Sequence, residues 1–373
     1  MPLRCGCLHA YLINSSLLLF SEKSESVYGF EEEAASLFLK IDSLLEEGQK
    51  KDEVIGQFSS LPQDLVENIY ALAACQDVVQ KEVYGPRLDI GQYQPDSLPR
   101  VHYLANDLTF SVNYPHRTVY DQLHPVFSHL TVDTPTTHLV SVDFEQEGEN
   151  WQLKLNGNTI ANAVDVTRLA LILQENMIIA LYQFRPYLIA MHAAAVGLGD
   201  ALFIMPAVSG SGKTTLAAAL MKEGFSLYSD EISTLDMHGE VEALPFSLNI
   251  KEGSWSVLKK DYPLLEETPF HIRFDQQKVR FLTPENIKLQ KRKPTHLIFP
   301  KYKEGAKTTL LALSACEAMK GIKEGGYQLD SMLVRERFED ILNYLIILPK
   351  FSLEYSSLPE AIETIKELAH AKN

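Results

Sequence analysis

Ala207-Val208-Ser209-Gly210-Ser211-Gly212-Lys213-Thr214-Thr215 is the stretch that decides how this chain is read, because an apolar run over 201–205 precedes it and a helical pattern over 214–223 follows. It carries the phosphate-loop pattern at every fixed position but the first, where Ala207 stands in place of glycine. Gly210 and Gly212 have no Cβ, so the backbone there can turn tightly and aim several N–H groups at one anion. The amino end of the following helix adds a field that favours negative charge. Lys213 brings a compact positive charge to the β and γ phosphates of a nucleotide, and Thr214 offers a hydroxyl to magnesium. Ser209, Gly210, Ser211, Gly212, Lys213, Thr214 and Thr215 are therefore the expected nucleotide-binding residues. A plain glycine turn with an exposed lysine is the competing reading, and the order of strand, loop and helix argues against it.

Working outward, the apolar run over 225–229 ends at Asp230-Glu231. Two carboxylates at a strand end beside such a loop can divide two tasks, one holding a metal ion and the other taking a proton from an incoming hydroxyl. Asp230 is the expected base and Glu231 the expected metal ligand, so that Thr214, Glu231 and Asp230 make up the metal set. His192 falls on a strand expected over 189–196, from which it reaches the γ phosphate or orients Asp230; a satisfied core histidine is the plainer alternative. Arg273 and Arg280 can each clamp phosphoryl or carboxylate oxygens. Arg280 is favoured because it sits in an apolar strand, where an unpaired charge is costly. His238 and His271 have no spacing that suggests a metal triad.

The chain has 373 residues with a formal charge of -15, long enough for more than one core and too acidic for a broad footprint on DNA, RNA or an anionic membrane. The short basic stretch Lys288, Lys291, Arg292 and Lys293 reads as a solvated linker. Cys5, Cys7, Cys75 and Cys316 form no paired zinc signal and read as free thiols. No apolar stretch is long enough to span a bilayer, so no membrane association and a cytoplasmic location are expected. Helical patterns over 29–45, 51–58 and 62–74 suggest a small, mainly helical module at 1–90. The turn-rich segment 85–99 marks a boundary, and 100–373 reads as an α/β domain around the loop at 207–215. Within it, strands are expected over 108–112, 138–144 and 151–155, with Asn156-Gly157 as a hairpin turn, then a buried helix over 168–183. Further strands are expected over 278–282, 295–299, 308–313 and 351–355, with helices over 315–320, 333–345 and 358–369.

His192-Ala193-Ala194-Ala195, the loop from Ser209 to Thr214 and the strand-end pair Asp230-Glu231 resemble the core of the HPr serine kinase/phosphorylase family, and more closely its divergent HPr-kinase-related branch. Arg280-Phe281-Leu282-Thr283-Pro284 and Leu297-Ile298-Phe299-Pro300 are similar to that branch too. The resemblance spans roughly 101–369, with its specific part at 192–231. It implies a phosphate-loop kinase core related to phosphoenolpyruvate carboxykinase, ATP and Mg2+ as cofactors, and transfer of the γ phosphate to a serine hydroxyl. In those terms Lys213 is the phosphate ligand, Thr214 a magnesium ligand, Asp230 the base and His192 a support. Glu231 departs from the family's paired aspartates by one methylene, and the family's phosphorolysis signature is not matched. Residues 29–79 resemble small PqqD-like peptide-binding modules, which implies a leader peptide as partner.

The sequence thus leads to an ATP-dependent kinase acting on a peptide, protein or small-molecule hydroxyl, with a homo-oligomer as one possible state and nucleic acid excluded as partner. A nucleotide-responsive binding or assembly protein with weak chemistry is the alternative.

Overall fold

The computed structural model describes residues 3–5, 8–75, 100–244, 246–287 and 290–371 of a mixed α/β protein with several sheets. The expected boundary at 85–99, the end of the peptide-module resemblance at 79, Cys7 and Lys288 lie outside the described residues.

The amino-terminal region corrects the expectation of a mainly helical module. Strands Leu3–Cys5, Leu8–Ile13, Ser16–Ser21 and Ser26–Glu31 form an antiparallel meander. Only then come the helices Glu32–Glu46, Lys51–Gln57 and Gln63–Ala73. Strand Ser16–Ser21 is buried along its whole length. Its pleat sends Leu17 and Leu19 into a core with Phe38 and Ile41 of the helices, while Leu18 and Phe20 enter a second core shared with the rest of the chain. A strand covered on both faces shows no polar alternation, so nothing in its sequence marks it as a strand. Cys75 is disulfide-bonded, against the expectation of free thiols, whereas Cys316 is free; spacing along a chain does not report which thiols the fold brings together.

The next sheet runs in the order Asn158–Val164, Asn150–Leu155, Leu139–Glu147, Leu108–Val112, Val101–Ala105, Thr131–Val132. Leu108–Val112 and Leu139–Glu147 pair in parallel, which requires the crossover that helix Arg117–Phe127 supplies. That helix escaped the sequence reading, and Pro125 lies inside it. Asn156 and Gly157 both take positive φ, 48° and 77°, as a two-residue hairpin turn demands. Helix Val166–Phe184 begins at Asp165, whose carboxylate accepts from the Thr167 amide at 2.8 Å, and it shares one core with this sheet.

The sheet bearing the glycine loop has the order Ser226–Ser229, Ala193–Leu198, Ala201–Pro206, His296–Tyr302, Lys350–Tyr355, Thr309–Ala312. Ala193–Leu198 is antiparallel to both its neighbours, while Ala201–Pro206, His296–Tyr302 and Lys350–Tyr355 run parallel. One end of the sheet therefore collects four carboxyl ends of strands and the amino end of Ala193–Leu198. Asp230, His192, the loop, Tyr302 and Tyr355 follow one another along that end, where ligands of open α/β sheets bind. Helix Lys213–Lys222 packs on one face with Phe203, Met205 and Ile365. The opposite face, through Ala195, Leu202 and Ile204, shares its core with Leu18 and Phe20 of the amino-terminal sheet. No helix among the described residues is long and apolar enough to cross a membrane.

Phe20 is fully buried, and its ring stacks on Phe338 at 4.9 Å between centroids. Truncation to alanine leaves a cavity between the amino-terminal sheet and the body. Phe20→Ala is expected to lower the unfolding free energy by roughly 3–5 kcal/mol in urea denaturation. A loss within experimental error would mean that the sheet does not dock as described.

Candidate active site

The loop leaves strand Ala201–Pro206, turns through a Ser211 N–H to Val208 carbonyl bond of 3.3 Å, and enters helix Lys213–Lys222. Gly210 and Gly212 hold φ of 89° and 86°, a region that side chains with a Cβ rarely occupy. A Cβ on Gly212 would also meet the Tyr355 hydroxyl at 2.6 Å. Val208, Ser209 and Gly210 at the tip are exposed, whereas Ser211 and Lys213 are buried. The Leu216 amide donates to the Gly212 carbonyl, so the amides of Lys213, Thr214 and Thr215 lie in the first turn, where a helix offers no carbonyl of its own and an anion is favoured.

The strand expected over 189–196 is two strands, Ile189–Met191 and Ala193–Leu198, in different sheets, and His192 is the hinge between them. Ile189–Met191 pairs with Ser233–Leu235 and Tyr327–Gln328 instead. The His192 amide donates to the Gly326 carbonyl at 2.9 Å, and its Nδ1 lies 3.2 Å from the Gly325 carbonyl oxygen. Its Nε2 is 3.4 Å from Oε2 of Glu231. Asn249 completes the hold on Glu231 by donating to Oε1 at 3.1 Å. Asp230, one residue earlier, is only 6% exposed, and neither of its oxygens has a hydrogen-bond partner.

The two adjacent carboxyls are driven apart. Burial pushes Asp230 up to about 6, with Glu231 adding to the rise and Lys213, the nearby Thr214 hydroxyl and His192 opposing it. Burial acts upward on Glu231 as well, but His192, Lys213 and Asn249 outweigh it and hold that carboxylate down. Lys213 is 6% exposed, its Nζ has no hydrogen-bond partner, and burial lowers its pKa against the pull of Asp230 and Glu231. The buried Ser211 hydroxyl is likewise unpartnered. Buried polar atoms normally find partners, so an ammonium, a carboxylate and a hydroxyl left bare around one loop are what a charged ligand would satisfy.

Segment 247–258 contributes residues that the sequence reading missed. Lys251 Nζ donates to Ser209 Oγ at 3.1 Å, and the Thr215 and Ser254 hydroxyls meet at 2.6 Å. No motif marks these positions; Lys251 ends strand Leu248–Lys251, which pairs with Lys278–Leu282, and Ser254 lies in the helix Glu252–Leu258 that follows. Arg280, on that same sheet, stacks on Trp255 at 4.4 Å and donates to the Leu265 carbonyl at 3.0 Å, and Lys251 rather than Arg280 touches the loop. Arg273 instead faces a cleft of about 480 Å³ with Glu175, His192, Glu231, Asn249 and Phe274. Glu175 there is raised by burial and by Glu231. His238 is exposed, and His271 is buried and pushed down to about 4 by burial.

Among the described residues, no group of three or more His, Cys, Asp and Glu side chains is gathered to hold a metal ion alone. Magnesium is ordinarily bound by one or two carboxylates together with substrate phosphates and water. Thr214, Asp230 and Glu231 fit that sparser donor set, and the bare oxygens of Asp230 are consistent with it. Neither the scan against family models nor the search of curated proteins finds a match to this chain.

Two outcomes follow from this geometry. A carboxyl raised on folding gives stability that is complete below its ordinary value of 3.8 and is lost as pH climbs through about 6. Asp230→Asn is therefore expected to melt above the wild type near neutral pH, with the gap closing toward about pH 4; a gap that is constant or reversed in a melting series contradicts the assignment. Gly212→Ala combines a strained φ with a collision against Tyr355. It should weaken inorganic tripolyphosphate binding at least about tenfold, the effect of some 1.4 kcal/mol, in calorimetric titration.

Proposed function

We propose that this protein is an ATP- and magnesium-dependent phosphotransferase with a phosphate-loop kinase core, moving the γ phosphate onto a hydroxyl, with a serine of a peptide or protein as acceptor. One observation carries the reading. A buried Lys213 ammonium and a buried Asp230 carboxylate, electrostatically coupled and both without hydrogen-bond partners, border an open glycine loop at a helix start. Holding such groups bare is unfavourable in a folded protein. A triphosphate and an attacking hydroxyl between them would satisfy both.

In this reading the loop amides and Lys213 bind the β and γ phosphates and offset the charge that shifts to the leaving oxygen. The acceptor oxygen attacks the γ phosphorus in line, the bond from that phosphorus to the β–γ bridging oxygen breaks, and ADP departs. Asp230 takes the acceptor's proton. Its raised value near 6 leaves it ionised at neutral pH yet more basic than an ordinary aspartate, which suits a general base. Glu231, held down, stays ionised throughout, and His192 and Asn249 fix its position. Bound magnesium would be held by Thr214, Glu231 and Asp230 and would supply charge neutralisation at the phosphates.

The acceptor would approach through the cleft beside Glu231, whose apolar wall on helix Val166–Phe184 and exposed Phe274 rim suit a peptide segment. A leader peptide would engage the amino-terminal sheet and helices. Deleting that region is a poor probe, because it would strip Leu18 and Phe20 from a shared core.

The test is incubation of the full-length protein with magnesium, ATP and a panel of serine peptides and hydroxyl metabolites, read by mass spectrometry. A phosphorylated peptide is expected, and ATP hydrolysis with no phosphorylated acceptor would contradict transfer. Lys213→Ala should reduce transfer by roughly 10²- to 10³-fold and Asp230→Asn by roughly 10²- to 10⁴-fold. The wild-type rate should rise with pH through about 6 and level off above it, as Asp230 loses its proton.

A further inference from the structure

We infer that Tyr302 is the platform on which the nucleotide base stacks, an inference that rests on the phosphate-loop reading and extends it to the other end of the ligand. Along the functional end of the sheet, Asp230 lies on one flank of the loop strand Ala201–Pro206, and His296–Tyr302 forms the other flank. A triphosphate whose terminal phosphate faces Asp230 must send its ribose and base toward the opposite flank. That flank ends in Tyr302.

Tyr302 is built into the loop. Its amide donates to the Ser211 carbonyl at 2.9 Å. Its Cβ would lie 3.1 Å from a Cβ placed on Gly212. Ile298, four residues earlier and on the same face of the strand, belongs to the core of helix Lys213–Lys222, so the Tyr302 ring emerges on the side where that helix begins. Tyr302 is 50% exposed as a residue, while Tyr355 behind it is 2% exposed and meets its ring edge-on at 5.9 Å between centroids. Tyr355 in turn donates to the Gly212 carbonyl at 3.4 Å. A half-exposed aromatic face, held rigid by a buried ring and fastened to the phosphate loop, has the form of a stacking surface. Stacking accepts any base because every base has a π face. Tyr302 therefore contributes affinity for the nucleoside without discriminating adenine from guanine.

Calorimetric titration of the full-length protein with magnesium and either ATP, GTP or inorganic tripolyphosphate tests this. Tyr302→Ala is expected to weaken ATP and GTP binding alike by about tenfold, the contribution of one aromatic platform, and to leave tripolyphosphate binding unchanged. Tyr302→Phe, which keeps the ring, should bind all three ligands as the wild type does. Unchanged ATP affinity in a folded Tyr302→Ala variant overturns the platform and leaves the phosphate-loop reading standing. Equal losses for ATP and tripolyphosphate also overturn it, since Tyr302 would then only support the loop. Wild-type protein that binds neither ligand overturns the underlying reading itself.

Discussion

A buried ammonium and a buried carboxylate that have no hydrogen-bond partners of their own are the constraint around which this molecule is arranged. Lys213 and Asp230 stabilise one another only through space, and each is desolvated by the fold. For each of them the cost of burial exceeds what the other's charge returns. The arrangement persists because the surrounding elements fix both positions independently: Lys213 by a helix packed on the central sheet, Asp230 by a strand end beneath it. Glu231 and His192 belong to the same balance, since their contact keeps the second carboxylate ionised next to the first.

The rest of the fold serves that balance from outside. The antiparallel placement of Ala193–Leu198 between two parallel neighbours puts its first residue, not its last, at the end of the sheet that carries the glycine loop. That reversal is what brings His192 beside Glu231. The amino-terminal sheet presses Leu18 and Phe20 against the opposite face of the central sheet, so it is part of the scaffold as well as a candidate recognition surface. Helix Val166–Phe184 and the strand Leu248–Lys251 wall the cleft from two sides, with the Gln174 amide donating to the Ser247 carbonyl at 2.9 Å between them.

The loop, its helix and the acidic strand end were legible in the sequence because each has a local signature: glycines at positions of positive φ, a lysine at a helix start, an apolar run ending in two acids. The helices at 51–57 and 63–73 and the hairpin at Asn156-Gly157 were legible for the same reason. Strand Ser16–Ser21 was not, since burial on both faces erases alternation. The break at His192 was hidden because Ile189 to Val196 is uniformly apolar apart from that histidine, and only long-range pairing divides it between two sheets. Asn249, Lys251 and Ser254 carry no motif; the first two reach the site through strand register and Ser254 through the helix Glu252–Leu258 that follows. Arg280 stood out as a charge in an apolar strand. It stacks on Trp255 and donates to the Leu265 carbonyl, with its Nε left unpaired.

The most direct measurement is a structure determined with magnesium and a non-hydrolysable ATP analogue. The account predicts the γ phosphate within hydrogen-bonding reach of Lys213 Nζ, the cation against Thr214 and Glu231, and Asp230 open toward the cleft. An analogue bound away from the loop, or one whose γ phosphate points from Asp230 toward Tyr302, would contradict it.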